Sequence, residues 1–508
     1  MKARARRTFI AAAMALLAAG AVAPRLDAQA AIGGEWRSDV DRFAHRVIDS
    51  GLSPAFGVAV VQGDRVLHVR GFGVADLDTG RPVSGETPFY IASTTKSLTA
   101  LAAVLAAHRD DLDLDSPMVR YLPDAVLPAG AHRESITVHD LLALTHGLAG
   151  GGPVVFRTAF TGQLADARLE ELLRYHEPTG RAGTFDYNNL GYNLVGMVLD
   201  ARFGAGWKDV VRREVLEPVG MDATAAELSA YEPDRIAMPH DLVPEHGFRR
   251  IRLAKDDSNL HAAGGHFATP RDMARYLAAH ISRGRVEGER VLPPAPIALT
   301  HRRHASQDRE FGPFHRHGWG YGWDLGTYEG DTLIHRFGAF SGYRSHVSFM
   351  PEHDLGVVVL VNGGGPASPA ADLLATYIYD RMLGKPDLET TYAERLDGLT
   401  ARMDAYLDGL ADHLAERRAR LAPLPRPLAE YAGTYEDAVL GRIEFRVVAD
   451  GLEMWMGAAH SRAEVYDASD NRLRVVIGAG RVVTFSFDGE GPATAVEIAG
   501  RELRRVGT

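Results

Sequence analysis

Apolar positions in this chain recur with two periods, and the switches between them mark out its elements. Val40, Phe43, Val47 and Ile48 share one helical face, which predicts a helix over residues 35–50. Ala55 to Val61 and Arg65 to Val69, joined by Gln62-Gly63-Asp64, predict a β-hairpin. Gly71 to Asp76 then reads as loop. After the extended run Pro88 to Ile91, helix spacing returns at Leu98, Leu101, Val104 and Leu105. Val138 to Leu144 predicts a short helix stopping at Gly147, and Leu190, Leu194, Met197, Val198 and Leu199 predict a longer one. Leu333 to Phe337, Arg344 to Phe349 and Leu355 to Val361 predict an antiparallel meander buried on at least one face.

The pattern changes twice near the end. Leu396, Leu399, Met403, Leu407, Leu410 and Leu414 stripe a charged helix that Pro423, Pro425 and Pro427 terminate, so residues 387–427 read as a helical linker. Five short alternating segments follow: Arg442 to Val448, Leu452 to Trp455, Arg472 to Val476, Val482 to Phe487 and Ala495 to Ile498. Asp450-Gly451 and Asp488-Gly489 supply hairpin turns between them. Residues 428–508 therefore predict a small all-β, barrel-like domain.

At 508 residues the chain exceeds one simple core, and residues 31–386 form the main domain. Residues 1–30 read as a signal peptide: a charged start (Lys2, Arg4, Arg6, Arg7), an apolar core from Phe9 to Ala23, and Ala28-Gln29-Ala30 for cleavage. Arg6-Arg7-Thr8-Phe9-Ile10 also resembles a twin-arginine export signal. Cleavage would remove five cations and one anion, moving the formal charge from -10 to -14. That balance argues against a nucleic-acid partner, and no later stretch is apolar enough to span a membrane. The chain has no cysteine, which excludes a thiol nucleophile and a thiolate metal site.

Candidate chemistry centres on Ser93-Thr94-Thr95-Lys96. Ser93 falls at a helix start, and Lys96, one turn on, presents its head on the same face. A serine hydroxyl needs a neighbouring base, and a lysine serves only when burial or another cation lowers its pKa. The plainer reading is a capping serine and an exposed lysine. Only five lysines occur (Lys2, Lys96, Lys208, Lys255, Lys385), and Lys96 alone has Ser or Thr three residues before it. Tyr187 and Asn189 stand at a second helix entrance, as proton relay and carbonyl ligand or as packed tyrosine and helix cap. His301, His304, His315 and His317 lack metal-site spacing, and no Gly-x-Ser-x-Gly elbow occurs.

Ser93-Thr94-Thr95-Lys96, Tyr187-Asn188-Asn189 and the glycine strand at Gly338 resemble, in order and spacing, the serine β-lactamase and penicillin-binding-protein family. The class C-like branch, with its esterases and D-amino-acid peptidases, is the most similar. Ile136 to Leu142, Ala263-Gly264-Gly265 and Gly342 to Asn362 support it, over about residues 35–385. The resemblance implies an α+β fold: an antiparallel sheet flanked by helices, plus an all-helical region. It also implies Ser93 as acylated nucleophile, Lys96 as proton acceptor or its tuner, and Tyr187 as general base and acid. Asn189 would orient the substrate, and the N–H groups of Ser93 and Ala339 would hold the oxyanion. The third motif departs from the family: Arg336-Phe337-Gly338 stands there, with His335 one place early. Arg336 would meet a substrate carboxylate, whereas Phe337 has no hydroxyl to offer one. Leu144 and His146 also depart. The expectation is an exported serine hydrolase cleaving an ester or amide of a small molecule or peptide, without cofactor or metal. The alternative is a non-catalytic binding or sensor protein.

Overall fold

The computed structural model describes residues 35–507 apart from 133, 166, 245, 421, 422 and 450. The signal-peptide reading of residues 1–30 lies outside the described residues. The described residues form a large antiparallel sheet flanked by helices, followed by a closed barrel. A nine-stranded sheet runs, in spatial order, Ala305–Phe311, Phe314–Trp319, Asp324–Tyr328, Asp331–Phe340, Tyr343–Met350, Leu355–Val361, Ala55–Gln62, Arg65–Asp76 and Arg81–Pro82. Each neighbouring pair is antiparallel.

Strand period explains the layering. Phe56, Val58 and Val60 with Val357, Val359 and Val361 enter one core, against the helices Trp36–Asp49 and Ala367–Met382. Ala55, Ala59 and Val61 with Val358 and Leu360 enter the opposite core, against Thr95–His108 and Pro270–Ile281. Both sheet faces are therefore covered, which is why the Leu355–Val361 run is apolar throughout. The helix Thr95–His108 is buried nearly all round because it lies between two cores: Leu98, Leu101 and Leu105 meet the sheet, and Ala100, Ala103 and Val104 meet the helical region. Its first turn carries Lys96.

Two expectations are corrected. Gly71 to Asp76 is strand, not loop, because Gly71, Phe72 and Gly73 continue the ladder against Ala55–Gly57. The barrel has eight strands, so the five segments read from sequence leave out Gly433–Asp437, Ala459–Asp467 and Arg501–Val506. Those three carry too little apolar alternation to register as strands: Ala-His-Ser-Arg-Ala-Glu-Val-Tyr-Asp is one of them. Closure of the first strand on the last, with Thr434 opposite Val506, is what completes their pairing.

The helix Leu388–Ala419 spans both parts. Tyr392, Leu396 and Leu399 sink into the sheet's outer core, where Phe43 stacks on Tyr377 at 4.2 Å and Tyr392 edges onto Phe43 at 5.5 Å. Arg417 reaches Glu464 of the barrel, Nε to Oε2 at 3.0 Å. The barrel docks on the short turn of π-helix Phe156–Thr161. Phe156 belongs to the barrel's own core. Arg157 donates to the carbonyls of Val439 and Ala438 at 2.8 Å each, and Ala458 N–H donates to Thr161 O at 2.8 Å. Phe160 fits over Gly478, where a Cβ would come within 2.3 Å of its ring.

Candidate functional site

Ser93 sits where a short strand turns into the central helix. Phe89–Tyr90 pairs with Phe267–Ala268, and a single turn of 3₁₀ helix, Ala92–Thr94, then joins Thr95–His108. Ala92 has φ +45°, a left-handed conformation rarely adopted by a residue with a Cβ. Such strain persists only where neighbours over-determine the backbone. Here Ile91 N–H donates to His266 O at 3.0 Å, and Ser345 Oγ donates to Ile91 O at 2.9 Å. Thr94 and Ser345 hydroxyls meet at 2.8 Å, and Ser97 Oγ donates to Thr94 O at 2.8 Å. The turn leaves Ser93 partly exposed while Lys96 is fully buried.

Gly338 makes this arrangement possible. A Cβ there would stand 2.1 Å from Ile91 O and 2.5 Å from Ser345 Oγ, so only glycine lets the strand approach the serine turn. Gly338→Ala is expected to lower stability by about 1–3 kcal/mol through overpacking and to displace Ile91. Chemical denaturation, with active-site labelling alongside it, measures both effects. Ala339, the next residue, lines the cavity that holds Ser93.

Lys96 binds three oxygens. Its Nζ donates to Ser93 Oγ at 3.2 Å, Asn189 Oδ1 at 2.7 Å and Ala263 O at 2.9 Å. Burial, opposed partly by Tyr187 and reinforced by Arg336, holds the ammonium down at about 8. Asn189 heads the helix Leu190–Phe203 but makes no side-chain cap to it. Its amide oxygen is spent on Lys96 instead, so the helix-cap reading gives way.

Tyr187 forms the opposite wall, 36% exposed, its ring 5.1 Å from Lys96 Nζ. Burial would push its phenol up, but Arg336 and Lys96 beside it outweigh that and bring it down to about 8. Two cations thus favour the phenolate, and Ser93 acts in the same direction.

Arg336, expected to meet a substrate carboxylate, bonds several groups of the protein itself. It is buried, with Nη2 donating to Tyr187 Oη at 3.0 Å and to Phe337 O at 2.8 Å. Nη1 reaches Asp324 Oδ2 at 3.2 Å, and Nε donates to Phe337 O at 3.1 Å. Its guanidinium lies 5.1 Å from the Tyr187 ring and 5.3 Å from the Trp319 ring. Arg336 is therefore turned toward the Tyr187 phenol on this wall of the site.

Asp324, unremarked in the sequence, anchors that arginine. It is buried, 3.2 Å from Arg336 and 3.5 Å from Arg316, and it accepts from Gln307 at 3.0 Å. The signal lay in its position, directly after the glycine–aromatic run Gly318 to Trp323 that builds this wall. Lys255 is the second residue the sequence reading passed over. It is buried in the same cavity as Ser93, with Asn189, Ala263, Ala339 and Phe340. Burial, with a small opposing effect from Asp256, holds it down at about 7. The count of five lysines could have raised it. Of the four histidines, His301 meets His280 at 2.8 Å, His304 stacks on Tyr321 at 3.6 Å, His315 meets Glu310 at 2.9 Å, and His317 shares the strand Phe314–Trp319 with His315. Among the described residues no three His, Asp or Glu side chains group so as to hold a metal ion.

Comparison with known proteins sets this geometry in a family. The Beta-lactamase family model matches residues 40–378, well over half the chain. The chain belongs to the Beta-lactamase family. Protein Rv1367c of Mycobacterium tuberculosis is 30% identical over 278 residues, covering 50% of this chain and 68% of that protein. Penicillin-binding protein 4 of Amycolatopsis lactamdurans is 27% identical over 349 residues, or 66% and 86%. Among solved structures, the octameric penicillin-binding protein homologue from Pyrococcus abyssi aligns with TM-score 0.59 and 22% identity, over 92% of this chain and 99% of that one. Coverage of that extent takes in the C-terminal barrel as well as the β-lactamase domain. The D-amino acid amidase from Ochrobactrum anthropi aligns with TM-score 0.55 and 22% identity over 68% of this chain and 98% of that one. At such identities the two structures speak for the β-lactamase fold alone. No described helix is long and apolar enough to cross a membrane.

Proposed function

We propose that this member of the β-lactamase family is an exported serine hydrolase that cleaves an ester or amide through an acyl-enzyme on Ser93. The observation that carries the reading is Lys96 Nζ, 3.2 Å from Ser93 Oγ, with its charge and that of Tyr187 both tuned to about 8. Groups tuned this close to neutral accept and return a proton with little loss of driving force.

In this mechanism the Tyr187 phenolate, with Lys96 beside it, takes the Ser93 proton as Oγ bonds to the substrate carbonyl carbon. The carbonyl oxygen becomes an oxyanion facing the N–H groups of Ser93 and Ala339. Collapse breaks the bond to the leaving group, which leaves with the proton from Tyr187. Water then repeats the sequence on the acyl-enzyme, frees the acid and restores Ser93. Asn189 orients the substrate and fixes Lys96. Arg336 acts on Tyr187 as a positioning residue, held in turn by Asp324.

The substrate class follows from the family's breadth: small esters and amides, with D-amino-acid amides or peptides and β-lactams among them. A fluorophosphonate probe should add its mass to the peptide containing Ser93. Absence of that adduct would favour a non-catalytic binding protein. Turnover of 4-nitrophenyl esters, D-alanyl amides and nitrocefin then ranks the substrates.

The tuning of Tyr187 gives a signed pH prediction. Below about 8 the rate should climb with pH as the base loses its proton. Arg336 lowers both Tyr187 and Lys96. Arg336→Met should therefore move the acid limb of kcat/KM to higher pH and depress the rate at pH 7 more than at pH 10. A pH–rate profile of each protein reads the shift.

A further inference from the structure

The cavity beside Ser93 is narrow, about 60 Å³, and its far wall holds a cation that the mechanism does not use. Lys255 is almost fully buried. Its Nζ donates to Ala159 O at 2.6 Å and lies 3.4 Å from Asn259 O. The rings of Phe340 and Tyr90 stand 4.3 and 5.7 Å from it. Among the described residues no carboxylate comes within ion-pair distance, and Asp256 acts only from farther off. An ammonium has three donors, and two backbone carbonyls leave one of them without an acceptor, while the two rings supply cation–π attraction but no counter-charge. Buried charges in proteins are otherwise paired or neutralised, and Lys255, held down at about 7 by burial, would regain its full charge beside a bound anion. His261, on the same cavity, is kept neutral by burial and is engaged through Nδ1 with Asn193 Oδ1 at 2.9 Å, so it adds no counter-charge.

We infer that Lys255 forms an anion subsite beside the nucleophile, and that the substrate carries a carboxylate on its acyl portion. The inference rests on the proposed role of Ser93. The narrowness of the cavity suits the acyl arm, which stays bonded to Ser93 after the leaving group has gone. Ala159 and Phe160 also line the cavity and lie on the π-turn clamped by the barrel, so the C-terminal domain holds one wall of the subsite in place.

Two measurements test it. The first is calorimetric binding of succinanilic acid and of its neutral analogue butyranilide to the Ser93→Ala chain. The acid should bind at least tenfold tighter, a preference lost in Ser93→Ala/Lys255→Met and retained within about threefold in Ser93→Ala/Lys255→Arg. The second is kcat/KM for 4-nitrophenyl hemisuccinate relative to 4-nitrophenyl butyrate, a ratio that Lys255→Met should lower at least tenfold. Equal binding of the two anilides by the Ser93→Ala chain overturns the subsite even when the Lys255→Met chain does not fold. So does a preference that survives Lys255→Met. If the binding preference holds but fluorophosphonate leaves Ser93 unlabelled, the hydrolase reading falls and the subsite stands.

Discussion

Ser93→Ala should abolish fluorophosphonate labelling and lower kcat for any ester substrate on the order of 10⁴-fold or more, as loss of a nucleophile does elsewhere. The fold should survive, because the Ser93 side chain is partly exposed and the turn is held by Ile91, Thr94, Ser97 and Ser345. Lys96 loses one of three acceptors but keeps Asn189 and Ala263. Thermal unfolding within a few degrees of wild type, together with lost labelling, would assign the chemistry to the hydroxyl. Retained turnover would require a different nucleophile and would end the acyl-enzyme reading.

Tyr187→Phe should cost about 10²- to 10⁴-fold in kcat, the usual range for a general base, with KM changed far less. The variant removes one acceptor of Arg336 Nη2 and leaves Lys96 as the base hydrogen-bonded to Ser93. Its residual pH profile carries a sign. Tyr187 raises the pKa of Lys96, so removing the phenol should move the surviving acid limb below about 8. A limb that stays put would mean that Lys96 is not the group titrating. A Tyr187→Phe enzyme with unchanged kcat would return Tyr187 to the role of packed wall.

Much of this site was legible in the chain because it is local. Ser93 and Lys96 lie one turn apart, so local geometry puts both on one face, and the fold closes their heads to 3.2 Å. The β-branched run Leu355–Val361 announced a strand buried on at least one face, which the fold buries on both, and the proline-ended stripe announced the Leu388–Ala419 helix. What failed was non-local. The position of Arg336 in the third motif says nothing about which face of the strand is turned toward Asp324 and Tyr187. Barrel strands such as Ala459–Asp467 owe their conformation to partners on either side and not to their own alternation.

The sequence by itself determined the strongly periodic elements, the order of the motifs, the one-turn spacing of Ser93 and Lys96 and the absence of thiol chemistry, since these depend on residue type and short spacing. Tertiary structure decided the electrostatics. Only folding could bury Lys96 and Lys255, bring Arg336 across from a strand near the end of the domain to the phenol of Tyr187, and set the barrel against Phe156–Thr161. The reason is physical: a pKa is set by what burial removes and by which charges converge, and both are properties of the folded chain.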